Sequence, residues 1–359
     1  MKAKQIITLF FTIILTLSAA ACDAPLATQD ALPTQAATAM PQQTSAPTTW
    51  QAPSQNVMPM DTEMPRNSVI TSTEKVRVAA LAGPTGIGLT YLTKLSDIYT
   101  LDLFTAPDQA TAKILSGDVD IAAVPVNLAS VLYNKTEGKV TVIAVNTLGV
   151  LYFLENGDTV HSAADLAGKT IYSTGQASTP QYILEQILSQ YGLERQVNVE
   201  YIADNTELIG KLVAGDAQIA LLPEPHVSIA CAQSENVRVA LSANDLWQEQ
   251  NDGTLVQGVY IVRTEYLKEH HDAVDQFLSD ARISADKVLT DENASADVVE
   301  MGIIGKEPIA KRAIPNCNIV LKTGEEMHSL VTCMLEALYE ADAKSIGGKV
   351  PDDAFYYVP

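Results

Sequence analysis

The segment Pro223-Glu224-Pro225-His226 carries the residues best suited to chemistry, because it places a carboxylate and an imidazole directly after the apolar run IALL. A short apolar run that ends at proline predicts a buried strand followed by a new loop or helix. At such a strand end, Glu224 and His226 can bind an amine, an amidine-like ring or a hydroxyl group. A structural interpretation also stays open, in which Glu224 favours the dipole of a following helix and His226 packs beneath it.

Common catalytic and metal-binding patterns are absent, since the sequence contains no G-x-S-x-G, H-E-x-x-H or C-x-x-C. The five histidines are scattered along the chain. His270 and His271 stand beside Glu269 and Asp272 on a predicted solvated helix, which indicates a surface pair rather than a metal site. We therefore predict that the protein is not an enzyme and has no catalytic residue, no metal and no cofactor.

The Glu224 segment ends the second copy of an internal repeat. The first copy reads ILSGDVDIAAVPVNLA from Ile114 to Ala129, and the second reads LVAGDAQIALLPEPHVS from Leu212 to Ser228. Each copy predicts a helix end, a Gly-Asp turn, a buried parallel strand and a proline that ends the strand. Ligands of open α/β sheets bind at the carboxyl ends of the strands. We therefore expect two similar α/β lobes whose proline loops face each other across a cleft.

Two further loops follow predicted strands at corresponding places in the two halves. Gly83 to Gly88 follows the strand-like run KVRVAAL, and Ser173 to Pro180 follows KTIY. Glycine between a strand and a helix lets backbone N–H groups point at a ligand, although a tight turn without a ligand has the same pattern. The spacing G-x-x-G-x-G is neither the dinucleotide fingerprint nor a P-loop.

Two apolar stretches predict the passages between the lobes. Val140 to Leu154 contains the polar break Asn146-Thr147-Leu148-Gly149, and Leu255 to Val262 runs back. Two such crossings form a hinge. We predict that lobe 1 comprises residues 73–147 and 258–359, and that lobe 2 comprises residues 148–257.

The N-terminus has the features of an export signal. Residues 1–21 combine Lys2 and Lys4 with an apolar segment and small residues, which is typical of a secretory signal peptide. The small residues end at Cys22, as in a bacterial lipobox, so we predict a lipidated Cys22; the alternative is an ordinary cleavage site. Residues 22–72 are rich in Ala, Pro, Thr, Gln and Ser, and such a composition predicts a disordered tether.

The charge and the cysteine content limit which classes of partner and which cellular compartment fit the sequence. The net charge of −20 argues against nucleic acid, and against an anionic membrane surface as the main partner. Besides Cys22, the chain has Cys231, Cys317 and Cys333. A disulfide between Cys317 and Cys333 and a set of buried free thiols are both compatible with export.

The chain resembles the substrate-binding lipoproteins of ABC importers, in the nitrate/sulfonate/taurine and NMT1/THI5-like group. The resemblance rests on the segments GDVDIAAVP, GDAQIALLPEP and ADLAGKTIYSTG, together with the signal and Cys22. The resemblance covers about residues 74–357. It implies an α/β, two-lobed type II periplasmic-binding-protein fold that closes on its ligand. It also implies a monomeric, extracytoplasmic protein that is anchored to the cell membrane by lipid alone and delivers a small molecule to an ABC permease and its ATPase.

By position, the resemblance implies a set of ligand contacts in the loops at the strand ends: Pro84, Thr85, Gly86, Pro125, Asn127, Asn146, Thr147, Thr174, Gly175, Gln176, Glu224 and His226. No lysine or arginine stands in these loops, and Glu224 would repel an anion. We therefore favour a neutral or cationic heterocycle, such as a pyrimidine vitamin precursor, over a sulfonate or nitrate.

Two other functions fit the same fold. One is an enzyme such as a pyrimidine-precursor synthase, for which the resemblance implies a cysteine-rich iron motif and a reactive lysine, neither of which is visible. The other is a ligand-sensing domain, although no signalling module is attached to the sequence.

Overall fold

The computed structural model describes residues 73–176, 178–251 and 253–358, and within them the chain forms two β-sheets, each flanked by helices. The predicted signal peptide (residues 1–21), the lipidation site Cys22 and the predicted tether (residues 22–72) lie outside the described residues.

The first sheet has six strands in the order β11-β4-β10-β3-β1-β2. Strand β1 pairs in parallel with β2 and β3, whereas β10 runs antiparallel between β3 and β4. Its strands are β1 (Val76–Leu81), β2 (Tyr99–Phe104), β3 (Ile121–Pro125), β4 (Val140–Leu148), β10 (Val256–Arg263) and β11 (Ile319–Lys322).

The second sheet has five strands in the order β7-β6-β8-β5-β9. Strand β6 pairs in parallel with β7 and β8, and β5 runs antiparallel between β8 and β9. Its strands are β5 (Leu151–Asn156), β6 (Thr170–Ser173), β7 (Asn198–Tyr201), β8 (Ile219–Pro223) and β9 (Val237–Ser242).

Helices cover both sheets, and their apolar faces complete the core. They are α1 (Pro84–Ile87), α2 (Leu92–Leu95), α3 (Pro107–Ser116), α4 (Val126–Thr136), α5 (Thr179–Gln190), α6 (Asn205–Ala214), α7 (His226–Gln233), α8 (Ala243–Gln250), α9 (Thr264–Glu269), α10 (His271–Thr290), α11 (Ala294–Glu300), α12 (Glu307–Ala313) and α13 (Gly324–Ala341). Short 3-10 turns occupy Ala163–Leu166, Ile314–Asn316, Ala343–Ile346 and Asp353–Phe355.

The repeated Gly-Asp phrase has the predicted structure in both halves. Helix α3 ends at Gly117 and helix α6 ends at Gly215, and both glycines adopt the left-handed conformation, with φ of 78° and 84°. A residue with a β-carbon is disfavoured there, so glycine ends the helix cleanly. The strands that follow are buried and end at Pro125 and Pro223, which confirms the predicted helix–turn–strand unit.

The first glycine-rich loop differs from its prediction. We predicted a loop over Gly83 to Gly88. Instead, helix α1 already begins at Pro84, because Gly83 takes a φ of 114° and proline fits the first helical turn.

The chain passes between the sheets twice, at adjacent places. Strand β4 of the first sheet ends at Leu148 and strand β5 of the second sheet begins at Leu151. The return passage precedes β10. A β-carbon added at Gly149 would lie 2.8 Å from the β-carbon of Leu255, so the two passages touch there and only glycine fits.

The C-terminal segments contact both lobes. The hydroxyl of Tyr182 on α5 donates to Asp342 at 3.0 Å, just after α13, and α12 packs against α7. The lobes therefore share contacts beyond the two passages.

Cys317 is a buried free thiol in this structure and Cys231 is a half-buried one, which supports the free-thiol alternative over a disulfide between Cys317 and Cys333.

Candidate functional site

The predicted contact residues of lobe 1 meet at one edge of the first sheet. The side-chain amide of Asn146 donates to the carbonyl of Thr85 at 3.4 Å, and the hydroxyl of Thr147 donates to the carbonyl of Pro84 at 3.4 Å. Both side chains are almost fully buried. A β-carbon at the facing Gly258 would lie 2.5 Å from Asn146 Oδ1. The end of β4 therefore fixes the position of the first residues of α1.

Pro125 and Asn127 lie beside this cluster, at the end of β3 and the start of α4. Pro125 pairs with Gly258 across the sheet. The amide of Asn127 lies 3.5 Å from the carbonyl of Ser345, and the hydroxyl of Ser130 donates to the carbonyl of Ile346 at 2.8 Å. The first turn of α4 is thus tied to the C-terminal segment.

In lobe 2, hydrogen bonds from its own residues and to helix α6 hold the loop after β6. The hydroxyl of Thr174 donates to Asn205 Oδ1 at 2.6 Å, and Ser178 donates to the carbonyl of Gly175 at 2.5 Å. Gly175 has a φ of 72°, which favours glycine. Gln176 is exposed, so its side chain is free to turn toward a ligand.

Glu224 is buried, with 1% of its surface exposed, and its carboxylate accepts three hydrogen bonds. Oε2 accepts from the backbone N–H of Ser228 at 3.1 Å, and Oε1 accepts from the Ser228 hydroxyl at 3.0 Å. These contacts stabilise the first turn of α7, as the structural interpretation of the sequence predicted.

The third donor comes from the other lobe. The side-chain amide of Asn316 donates to Glu224 Oε1 at 3.3 Å, and the Asn316 carbonyl accepts from the hydroxyl of Tyr152 at 2.9 Å. Asn316 precedes β11 of the first sheet, whereas Tyr152 and Glu224 belong to the second. We call Tyr152, Glu224 and Asn316 the interlobe latch.

Sequence reasoning missed Asn316. It lies 92 residues from Glu224 and carries no motif. The only signal is the polar break Asn316-Cys317-Asn318 between apolar runs. Asn318 also serves the junction, because its amide donates to the carbonyl of Gly149 at 2.6 Å.

Burial sets the protonation of the two titratable groups in the predicted site. Burial raises the pKa of Glu224 to about 7, although the hydrogen bonds from Ser228 and Asn316 oppose the shift. Burial also lowers the pKa of His226, which leaves a neutral imidazole at neutral pH. His226 Nδ1 is buried without a hydrogen-bond partner among the described residues.

Within residues 73–176, 178–251 and 253–358, no group of three or more His, Cys, Asp or Glu residues is placed to hold a metal ion. Among the helices in these ranges, none has the length and apolar character needed to cross a bilayer.

Comparisons with known proteins agree with this architecture. The family model described as NMT1/THI5 like matches residues 101–294. No curated protein sequence matches the chain.

Solved structures match along most of their length. An ABC transporter protein from Parabacteroides distasonis is 23% identical, with a TM-score of 0.68, over 79% of this chain and 98% of its own. The periplasmic aliphatic sulphonate binding protein SsuA from Escherichia coli is 18% identical, with a TM-score of 0.65, over 80% and 93%. A Candida albicans gene product with the generic periplasmic binding protein fold is 11% identical, with a TM-score of 0.51, over 78% and 93%. The predicted fold class is confirmed.

Replacing Asn316 by Ala should open the lobes. The variant loses the amide that reaches Glu224, and one such hydrogen bond contributes on the order of 1 kcal/mol, or several-fold in the closed-to-open ratio. Small-angle X-ray scattering should report a larger radius of gyration than in the wild type. Asn236→Ala, at an exposed position of lobe 2, is the control. Identical scattering of Asn316→Ala and wild type would contradict the latch.

Replacing Glu224 by Gln should remove one pH-dependent contribution to stability. A carboxyl whose folded pKa is raised to about 7 binds its proton more tightly in the folded state, so the contribution of Glu224 to wild-type stability is largest below about pH 4.5 and falls as pH rises through 7. The fall should amount to about 3 kcal/mol from this group. Urea unfolding at several pH values measures it, with the exposed Glu292→Gln as control. Equal slopes in wild type and Glu224→Gln would refute this assignment.

Proposed function

Because the chain belongs to the NMT1/THI5-like family, we propose that it is the extracytoplasmic solute-binding protein of an ABC importer, which captures a small organic molecule between its lobes. The observation that carries this proposal is the junction itself. The interlobe latch joins Asn316, just before β11 of the first sheet, to Tyr152 and Glu224 of the second sheet. A ligand enclosed at such a junction favours the closed arrangement, and lobe closure is what a permease can detect.

The enzyme alternative receives less support. The predicted contact residues are mainly neutral hydrogen-bonding groups and prolines, and the two titratable ones are accounted for by packing: Glu224 accepts from Ser228 and Asn316, and His226 is neutral. Covalent catalysis needs an accessible nucleophile with an adjacent base. The Ser228 hydroxyl does donate to Glu224, but both side chains are buried, and the pair stabilises the first turn of α7. Binding without turnover fits these groups better.

For the ligand, we favour an uncharged or cationic heterocycle of the pyrimidine or vitamin-precursor type. The twelve predicted contact residues include no lysine or arginine. Among the residues that the structure describes, Glu224 Oε2 accepts from the Ser228 N–H alone, so one acceptor site stays available to a ligand N–H. His226 Nδ1 is a second unused acceptor or donor. A ring that carries N–H groups matches both.

A sulfonate or nitrate is the second candidate, and one residue favours it. Arg312 on α12 lies close enough to Glu224 to lower its pKa, so a cation borders the latch after all. Proton uptake by Glu224 would remove the repulsion of an anion. The similar Escherichia coli protein binds aliphatic sulphonates.

Identification of the native ligand is the decisive measurement. Residues 73–359 should be purified without refolding and examined by native mass spectrometry, followed by denaturation and identification of the released molecule. We expect a stoichiometric ring compound with hydrogen-bond donors. His226→Ala should weaken its binding about tenfold, whereas His161→Ala, exposed in lobe 2, should not. Release of a sulfonate would overturn the ligand class, and turnover of the bound molecule would overturn the binding function.

We also propose a lipid anchor at Cys22, with residues 22–72 as the tether and a monomeric binding domain beyond it. The support is the small-residue run that ends at Cys22 and the polar composition that follows. Cys22→Ser should move the protein from the membrane fraction to the soluble extracytoplasmic fraction, as judged by fractionation. Retention of Cys22→Ser on the membrane would refute the anchor, and Cys231→Ser serves as the control.

A further inference from the structure

A cavity of about 440 Å³ lies between helix α7 of lobe 2 and the segment that joins α11 to α12 of lobe 1. Ile229 and Ala232 line it from α7, and Ile303, Ile304 and Ile309 line it from the opposite side. We call it the flank groove. Its volume lies within the range of small-molecule sites, roughly 300 to 1,000 Å³.

The flank groove is separate from the predicted ligand site. None of the twelve predicted contact residues lines it. Pro225, which directly follows Glu224, is one of its lining residues, so the groove borders the interlobe latch. Because its two walls belong to different lobes, its shape depends on how far the lobes are closed.

The lining defines the chemistry of an occupant. Ile229 and Ile309 are only half-buried, so their apolar surfaces remain available to a hydrocarbon group. Lys306 is the one ionisable side chain in the lining, and Gln233 supplies an amide. The adjacent Glu307 is exposed and does not line the cavity. Apolar walls with a single cation at the edge suit a molecule with an apolar body and one negative charge.

We propose that the flank groove binds a small amphipathic anion, a hydrocarbon body with a carboxylate-type head group, and that this binding holds the lobes closed. The hydrocarbon lies between Ile229 and Ile309, and the head group pairs with Lys306. An occupant that touches both walls stabilises the closed arrangement over the open one. This site adds to the proposed importer function and does not replace the ligand in the cleft.

Octanoate is the probe, and isothermal titration calorimetry on residues 73–359 measures its binding. We expect saturable binding of one octanoate per chain, and at least tenfold weaker binding of octylammonium, whose charge Lys306 repels. Ala232→Trp should weaken octanoate binding at least tenfold by filling the groove. Ala214→Trp is the matched control, since both alanines are exposed near the ends of lobe-2 helices.

A second variant tests the head group and does not depend on filling the groove. Lys306→Gln should weaken octanoate several-fold and leave binding of octanol unchanged. Octanoate should also return the scattering profile of Asn316→Ala toward that of the closed wild type, because the groove spans both lobes.

Absence of saturable octanoate binding would overturn the proposal, as would unchanged octanoate affinity in both Ala232→Trp and Lys306→Gln. The native ligand separates this result from the importer function. If the purified Ala232→Trp protein still holds the cleft ligand while octanoate fails to bind the wild type, the flank groove proposal falls and the importer proposal stands.

Discussion

The burial of the Glu224 carboxyl between the lobes is the constraint on which the junction depends. A buried carboxylate is costly unless donors compensate for the water that it loses. Ser228 supplies two donors from the same helix, but the third comes from Asn316 in the other lobe. The capping of α7 is therefore coupled to the position of lobe 1. Separation of the lobes leaves Glu224 with one donor fewer, so lobe opening and the protonation of this group are linked.

The way the chain connects the two sheets supports this coupling. The two passages between the sheets touch at Gly149 and Leu255, so a relative rotation of the lobes has its hinge at one place. The C-terminal segments then add contacts on both flanks, from Asp342 to Tyr182 and from α12 to α7. An opening motion must break these contacts together with the latch. Lobe 1 is thus a two-part structure, whose late segments hold lobe 2 from outside the hinge.

Local physical rules explain how much could be predicted from the sequence. Gly117 and Gly215 end helices because a β-carbon is disfavoured at their φ, and proline ends the strands that follow, so the repeat revealed both lobes. The same rules predicted that Glu224 directly follows a buried strand, as it does after β8. Asn316 escaped prediction because its role depends on tertiary packing across 92 residues. Asn146 and Thr147 were placed at the right edge, but only the structure assigns their hydrogen bonds to the loop at Pro84 and Thr85.

The charge of a ligand and the proton on Glu224 cannot be treated separately. A ligand that donates an N–H to Oε2 favours the ionised carboxylate and releases a proton near neutral pH, since burial raises the pKa of Glu224 to about 7. An anion favours the neutral acid and takes up a proton. The predicted contact loops offer no lysine or arginine to change this balance, and Arg312 acts from the neighbouring helix. In the proposed ligand site, selectivity would therefore follow from burial of one carboxyl rather than from a dedicated cation.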